Sequence, residues 1–162
     1  MKTAIVAYSL SGNTAACAFA LAKTMDTGVF LLEEVKPRYG KKVYFSGGFQ
    51  ASFGLGSKVK SLPDLSDADV VLLGMPVWAG TIPPAMNTLL KNCSLRGKTV
   101  YAFVTQLSSG VPGKLEKRLK ETVLRGGGNF KSLFVQQAPN VGKISVESML
   151  PTAQEWAKRV LA

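Results

Sequence analysis

The stretch AYSLSGNTAACA, residues 7 to 18, holds the densest set of groups able to do chemistry in this chain. Five of the six residues from Ser9 to Thr14 are small polar residues or glycine, set between a strongly apolar run and an alanine-rich one. Ser9, Ser11 and Thr14 offer hydroxyls and Asn13 an amide, while Gly12 lets the backbone take positive φ or approach a ligand closely. Where such a loop opens a helix, several N–H groups have no intrahelical partner, and the helix dipole adds partial positive charge to them. The loop contains no lysine, so it would grip an anion with neutral dipoles alone, and a phosphate suits that set. The same hexapeptide also fits an ordinary strand-to-helix turn with Ser, Asn or Thr as N-cap.

Other loop chemistries fit less well. A Walker-type loop needs a lysine to reach the outer phosphates, and a dinucleotide fingerprint needs G-x-G-x-x-G; neither is present here. Serine hydrolysis through a G-x-S-x-G elbow lacks that motif, and the chain has no histidine at all. The absence of histidine also removes most transition-metal sites and histidine triads, so neither a catalytic residue nor a metal ligand is assigned. There is no C-x₅-R in the first loop, as a low-molecular-weight phosphatase would have. No aspartate ends the first or third strand, as in a phospho-receiver domain; Tyr8, Ser9, Gly74 and Met75 stand there.

Two further loops carry suitable groups. GMPVWAGTIPPAM follows an apolar run and presents Trp78, a flat apolar face with an N–H at its edge, between Pro76 and Gly80. TQLSSGVPGK supplies a second run of small donors around Gly110. A phosphate nest, an aromatic plate and a polar lip together describe a site for a mononucleotide with a large planar ring.

The elements that must position these loops alternate along the chain. Strands are expected at TAIVAYS from Thr3, GVFLLEEV from Gly28, ADVVLLGM from Ala68, KTVYAFVTQ from Lys98 and NFKSLFVQQ from Asn129. The first and third are nearly continuous apolar runs, the mark of strands covered on both faces. Helical spacing joins Ala18, Leu21, Ala22 and Met25, then Met86, Leu89, Leu90 and Cys93, with Pro84 suited to a first turn. Leu115, Leu119 and Val123 form a third stripe, halted at Gly126. The last stripe runs from Val146 through Met149, Ala153 and Trp156 to Val160, with Pro151 placed near the helix start. Alternation of this kind implies a mostly parallel sheet with right-handed crossovers, whose ligands bind at the carboxyl ends of the strands.

A chain of 162 residues without repeats or linkers fits one domain over 1–162. The irregular piece lies at about 35–62, where Lys36, Arg38, Lys41, Lys42, Lys58 and Lys60 occur with no acid, interleaved with Tyr39, Tyr44, Phe45, Phe49 and Phe53. It accounts for much of the net charge of +10, which favours an anionic partner. Its glycine spacing is that of loop architecture, which argues against nucleic acid. No apolar run is long enough for a membrane span. MKTAIVAYSL reads as a first strand rather than a signal peptide. Cys17 and Cys93 read as buried free thiols of a cytoplasmic protein.

With YSLSGNT similar to a [ST]-x-[ST]-G-[NT]-[ST] phosphate loop and GMPVWAGTIPPAM similar to a second flavin loop, the sequence resembles the flavodoxin family and its NAD(P)H-dependent reductase relatives. The resemblance implies an α/β three-layer sandwich, a five-stranded parallel sheet of order 2-1-3-4-5 with helices on both faces, and FMN at the point where the order switches. It implies that Ser9, Leu10, Ser11, Gly12, Asn13 and Thr14 hold the FMN phosphate. Pro76, Val77, Trp78, Ala79 and Gly80 would flank the isoalloxazine, and Thr105, Gln106, Ser108, Ser109 and Gly110 would form the third loop. The implied activity is electron transfer between redox partner proteins, acidic ones among them; the alternative is an NAD(P)H-dependent FMN or quinone reductase. The sequence departs from the family in two respects. Ala79 stands where many flavodoxins have glycine after the loop aromatic, and a non-glycine is expected to resist positive φ there. Neither 76–84 nor 105–113 contains a carboxylate, whereas many flavodoxins are acidic around the ring.

Overall fold

The structure is a computed structural model that describes residues 1–38, 46–138 and 143–162. Five strands form one sheet: β1 (Thr3–Tyr8), β2 (Val29–Leu32), β3 (Val70–Pro76), β4 (Thr99–Gln106) and β5 (Asn129–Gln137). All pairs are parallel and the order is β2-β1-β3-β4-β5. The order implied by the family resemblance is thus the order observed. Of the basic, aromatic piece at about 35–62, Tyr39, Lys41, Lys42, Tyr44 and Phe45 lie outside the described residues.

The helices are α1 (Asn13–Met25), a short α2 (Gly48–Ser52), α3 (Pro84–Asn92), α4 (Gly113–Arg125) and α5 (Val146–Leu161). They divide between the faces of the sheet by the parity of the strand residues. Ile5, Ala7, Leu72 and Phe103 point to one side and pack with Cys17 and Leu21 of α1 and Met149 and Trp156 of α5. Val6, Leu73, Val100 and Val104 point to the other side and pack with Met86 and Leu89 of α3 and Leu115 and Leu119 of α4. Six of the seven residues of β3 are buried, which is why its sequence reads as an unbroken apolar run. Phe134 and Trp156 stack at 5.1 Å and close the first of these cores.

Two boundaries differ from the sequence reading. β2 ends at Leu32, because the chain peels away and pairs antiparallel with the return of the basic segment: Val35 N–H donates to Lys58 O at 2.9 Å and Lys60 N–H to Glu33 O at 2.8 Å. Pro151 sits inside α5 rather than in its first turn, so the helix gives up one amide donor there and is stabilised by its buried face instead. Pro84 opens α3, as its fixed φ favours.

Both cysteines are free. Burial pushes the Cys17 thiol up to about 12. Burial also raises the half-buried Cys93, with a further contribution from the Asp64 carboxylate. Since the thiolate is the reactive form, Cys17 is expected to escape Ellman's reagent until the protein unfolds, while Cys93 reacts slowly. Prompt labelling of two thiols in the native protein would contradict this. No helix of the described residues is long and apolar enough to cross a membrane.

Candidate functional site

The chain after β1 and the chain after β3 meet the end of β4 at a single residue. Thr105, buried near the end of β4, shares a hydrogen bond of 2.7 Å with the hydroxyl of Thr14 in the first turn of α1. Its carbonyl accepts from Val77 N–H at 3.2 Å, which ties in the loop after β3. Tyr8, the last residue of β1, meets Trp78 edge to face at 5.6 Å. The sheet order causes this convergence, since β1, β3 and β4 are neighbours and parallel and so end together.

In the first loop, Gly12 takes the left-handed conformation with φ of 99°. Its N–H donates to Ser9 Oγ at 3.1 Å, which curls the loop. Gly12 occupies the N-cap position of α1 and no side chain caps that helix end. The carbonyl of Gly12 takes the N–H of Ala16, while the amides of Asn13, Thr14 and Ala15 precede the first intrahelical donor. Leu10 and Ser11 are exposed, Ser9 and Gly12 half-buried. The side chains of Asn13 and Thr14, expected to face a ligand, are engaged within the protein. Asn13 Oδ1 accepts from Ile144 N–H at 2.8 Å, and Thr14 bonds to Thr105. These bonds brace the loop; the Asn13 Nδ2 amide and the Ser9 hydroxyl hydrogen are not used in them and stay with the backbone amides and the Ser11 hydroxyl as donors to an anion.

The second loop is a tight turn closed by two bonds: Trp78 N–H donates to Thr81 O at 3.1 Å and Thr81 N–H to Trp78 O at 2.9 Å. Both central residues have positive φ, 48° at Ala79 and 71° at Gly80. This is the combination of the type I′ turn, which matches the twist of the flanking chain. Ala79 was expected to resist such a φ; the turn imposes it, at a strain of roughly 1–2 kcal/mol. Pro76, Val77 and Trp78 are half-buried, Ala79 and Gly80 exposed. In the third loop Gln106 folds its amide back to donate to the Gly110 carbonyl, and Leu107, Ser108, Ser109 and Gly110 are exposed.

A buried ion pair beneath Trp78 was not anticipated. Arg38 reaches Glu34 through three contacts of 3.1 Å, from Nε to both carboxylate oxygens and from Nη2 to Oε1, with side-chain exposures of 11% and 5%. Tyr8 OH donates to Glu34 Oε2 at 2.9 Å. Burial raises the Tyr8 phenol far above its usual range, and the Glu34 charge adds to that rise. The Arg38 guanidinium lies 5.8 Å from the Trp78 ring centre. A Cβ on Gly47 would fall 2.6 Å from the same ring, so the basic segment closes directly over the tryptophan. An acid and an arginine four apart, Glu34 and Arg38, were the available signal; it was masked because they occupy a bend rather than a helix.

The family model described as Flavodoxin matches residues 50–131, half of the chain. The chain belongs to the flavodoxin family. Among solved structures, a flavoprotein from Bacteroides uniformis is 23% identical with a TM-score of 0.73, and the match covers 97% of each chain. A flavoprotein from Bacteroides eggerthii is 22% identical with a TM-score of 0.76, covering 99% of this chain and 98% of that one. A Lactobacillus acidophilus flavoprotein in complex with FMN is 23% identical with a TM-score of 0.67, covering 83% and 92% respectively. Likeness at these identities speaks for the flavodoxin fold. No curated protein gives a match. Among the described residues, no group of three or more His, Cys, Asp or Glu is placed to hold a metal ion.

Proposed function

We propose that the whole chain, 1–162, acts as one FMN-binding flavodoxin-like unit that passes electrons between redox proteins. The observation that carries this reading is the junction at Thr105, where the start of α1 and the chain after β3 are tied to the end of β4 at the carboxyl edge of the sheet. The residues present fit FMN. An uncapped helix end with a left-handed glycine offers amides to a dianionic phosphate, and exposed Leu10 and Ser11 leave that mouth open. The turn from Trp78 to Thr81 and the lip from Gln106 to Gly110 border the place for a planar ring. The Lactobacillus acidophilus relative of the same fold, in complex with FMN, supports this choice of cofactor.

Bound FMN would supply the redox chemistry, taking up and releasing electrons. The chain's own residues bind the phosphate, orient the ring and set the charge around it. Glu34 is the carboxylate brought towards Trp78, and Arg38 matches its charge at 3.1 Å. The surroundings are therefore less anionic than those of acidic flavodoxins. The potential for the second electron is expected to be less negative than theirs, since about 1.4 kcal/mol of differential stabilisation shifts a one-electron couple by ~60 mV. Redox titration checks this; a couple as low as in the acidic proteins would contradict it.

Exposed Leu10, Leu107 and Val111 on the flavin loops offer apolar contact to a redox partner, and the net charge of +10 favours an acidic one. The direct test is purification: the protein should be yellow and release FMN on denaturation. A colourless protein that takes up no added FMN would overturn the reading.

One observation favours the alternative, an NAD(P)H-dependent FMN or quinone reductase. A groove of about 880 Å³ beside the basic segment is lined by Lys36, Lys58, Gly56 and Ser57, groups suited to nucleotide phosphates, with the paired Glu34 and Arg38 in its wall. Lys60, by contrast, is paired with Glu33 at 2.6 Å. Rapid bleaching of the yellow protein by NADH or NADPH alone would favour the reductase; bleaching only with a partner reductase would favour the carrier.

A further inference from the structure

The phosphate loop contains no lysine, yet the fold brings one to it. Asn13 is almost fully buried, and its Oδ1 accepts the Ile144 N–H at 2.8 Å, so the start of the α5 segment is pinned onto the first loop across 131 residues of sequence. Ser145 then caps α5, its Oγ accepting Ser148 N–H at 3.1 Å. Lys143 immediately precedes these two fixed residues. Its Cδ lies 4.0 Å from the point that a Cβ would occupy on Gly12, and its ammonium is two bonds further along. Lys143 is exposed and makes no hydrogen bond or ion pair with the described residues.

We propose that Lys143 supplies the positive charge that the first loop lacks, pairing with the phosphate of FMN and favouring FMN over the uncharged flavin. The inference rests on the reading of the loop as an FMN phosphate site. Two features support it: the stem lies against the glycine that opens the loop, and a side-chain bond from the loop itself holds the neighbouring backbone in place. The amides of α1 set the direction of the phosphate, and the lysine, a compact charge on a flexible stem, needs no fixed geometry to contribute.

The test is a fluorescence titration of the apoprotein with FMN and with riboflavin, at low and high salt. Lys143→Gln is expected to weaken FMN about three- to tenfold and to leave riboflavin unchanged. It should also flatten the salt dependence of FMN binding. Lys143→Arg should restore most of the loss. Lys23→Gln, which removes the same charge at the far end of α1, should behave as wild type. If wild type binds FMN and Lys143→Gln binds it equally well, or loses FMN and riboflavin alike, the role of Lys143 is overturned while the proposed function stands. If wild type takes up no FMN, both are overturned.

Discussion

Riboflavin is expected to bind about 10³-fold more weakly than FMN, a larger difference than any single side chain at the site would produce. The ring and ribityl chain are common to both, so the comparison isolates the phosphate and its partners. Those partners are the amides at the start of α1, which no side chain caps, with the Ser11 hydroxyl beside them. Hydrogen bonds to a charged acceptor contribute about 1.5–3 kcal/mol each, and two of them already correspond to roughly 10³ in affinity. Gly12→Val should remove most of the discrimination. At φ of 99° a β-branched residue cannot keep the backbone that aims the amides. Riboflavin binding within tenfold of FMN would place the anchor in the ring loops and contradict the account.

Glu34→Ala is expected to lower the unfolding free energy by about 3–5 kcal/mol, measured by urea denaturation. The substitution leaves the Arg38 guanidinium buried without its carboxylate, and removal of one partner of a buried pair is costly on this scale. It also leaves the Tyr8 hydroxyl without the acceptor it now has at 2.9 Å. Lys158→Ala, which breaks the exposed pair with Glu155, sets the comparison; the side chains there are 72% and 69% exposed, and the loss should stay below about 1 kcal/mol. The double variant Glu34→Gln with Arg38→Gln should be less destabilised than the sum of the two single changes, because no unmatched charge remains. Equal losses for Glu34→Ala and Lys158→Ala would mean that the basic segment is not held by this pair.

Most of the fold was legible because each signal was local and repeated. The apolar runs of β1 and β3, the stripe through Leu115, Leu119 and Val123, and Pro84 at the head of α3 each state their own conformation. The order of strands came with the family resemblance, carried by Ser9–Thr14 and by the loop around Trp78. The end of β2 was not legible. Glu33, Glu34 and Val35 can continue a strand or leave it, and what decides is pairing with Lys58 and Lys60, more than twenty residues away.

At the candidate site, residue types pointed to loops that the sheet brings to one edge, but not to their internal wiring. Asn13 reads as a ligand donor through its Nδ2, but its Oδ1 also accepts the Ile144 N–H, and nothing near either residue announces that bond. Thr105 reads as one polar residue among several in its loop. Its role as the meeting point of Thr14 and Val77 exists only once the strands are side by side. Ala79 was misjudged for a related reason: its own preference is against positive φ, but the two bonds between Trp78 and Thr81 outweigh it.

The hydroxyl and carbonyl of Thr105 also determine when the entropy of gathering is spent. Three flexible segments would each lose conformational freedom if a small molecule had to collect them, and that loss would be subtracted from its affinity. Here folding of the sheet already joins the ends of β1, β3 and β4, so a ligand bound at this edge would spend less of its affinity on gathering them.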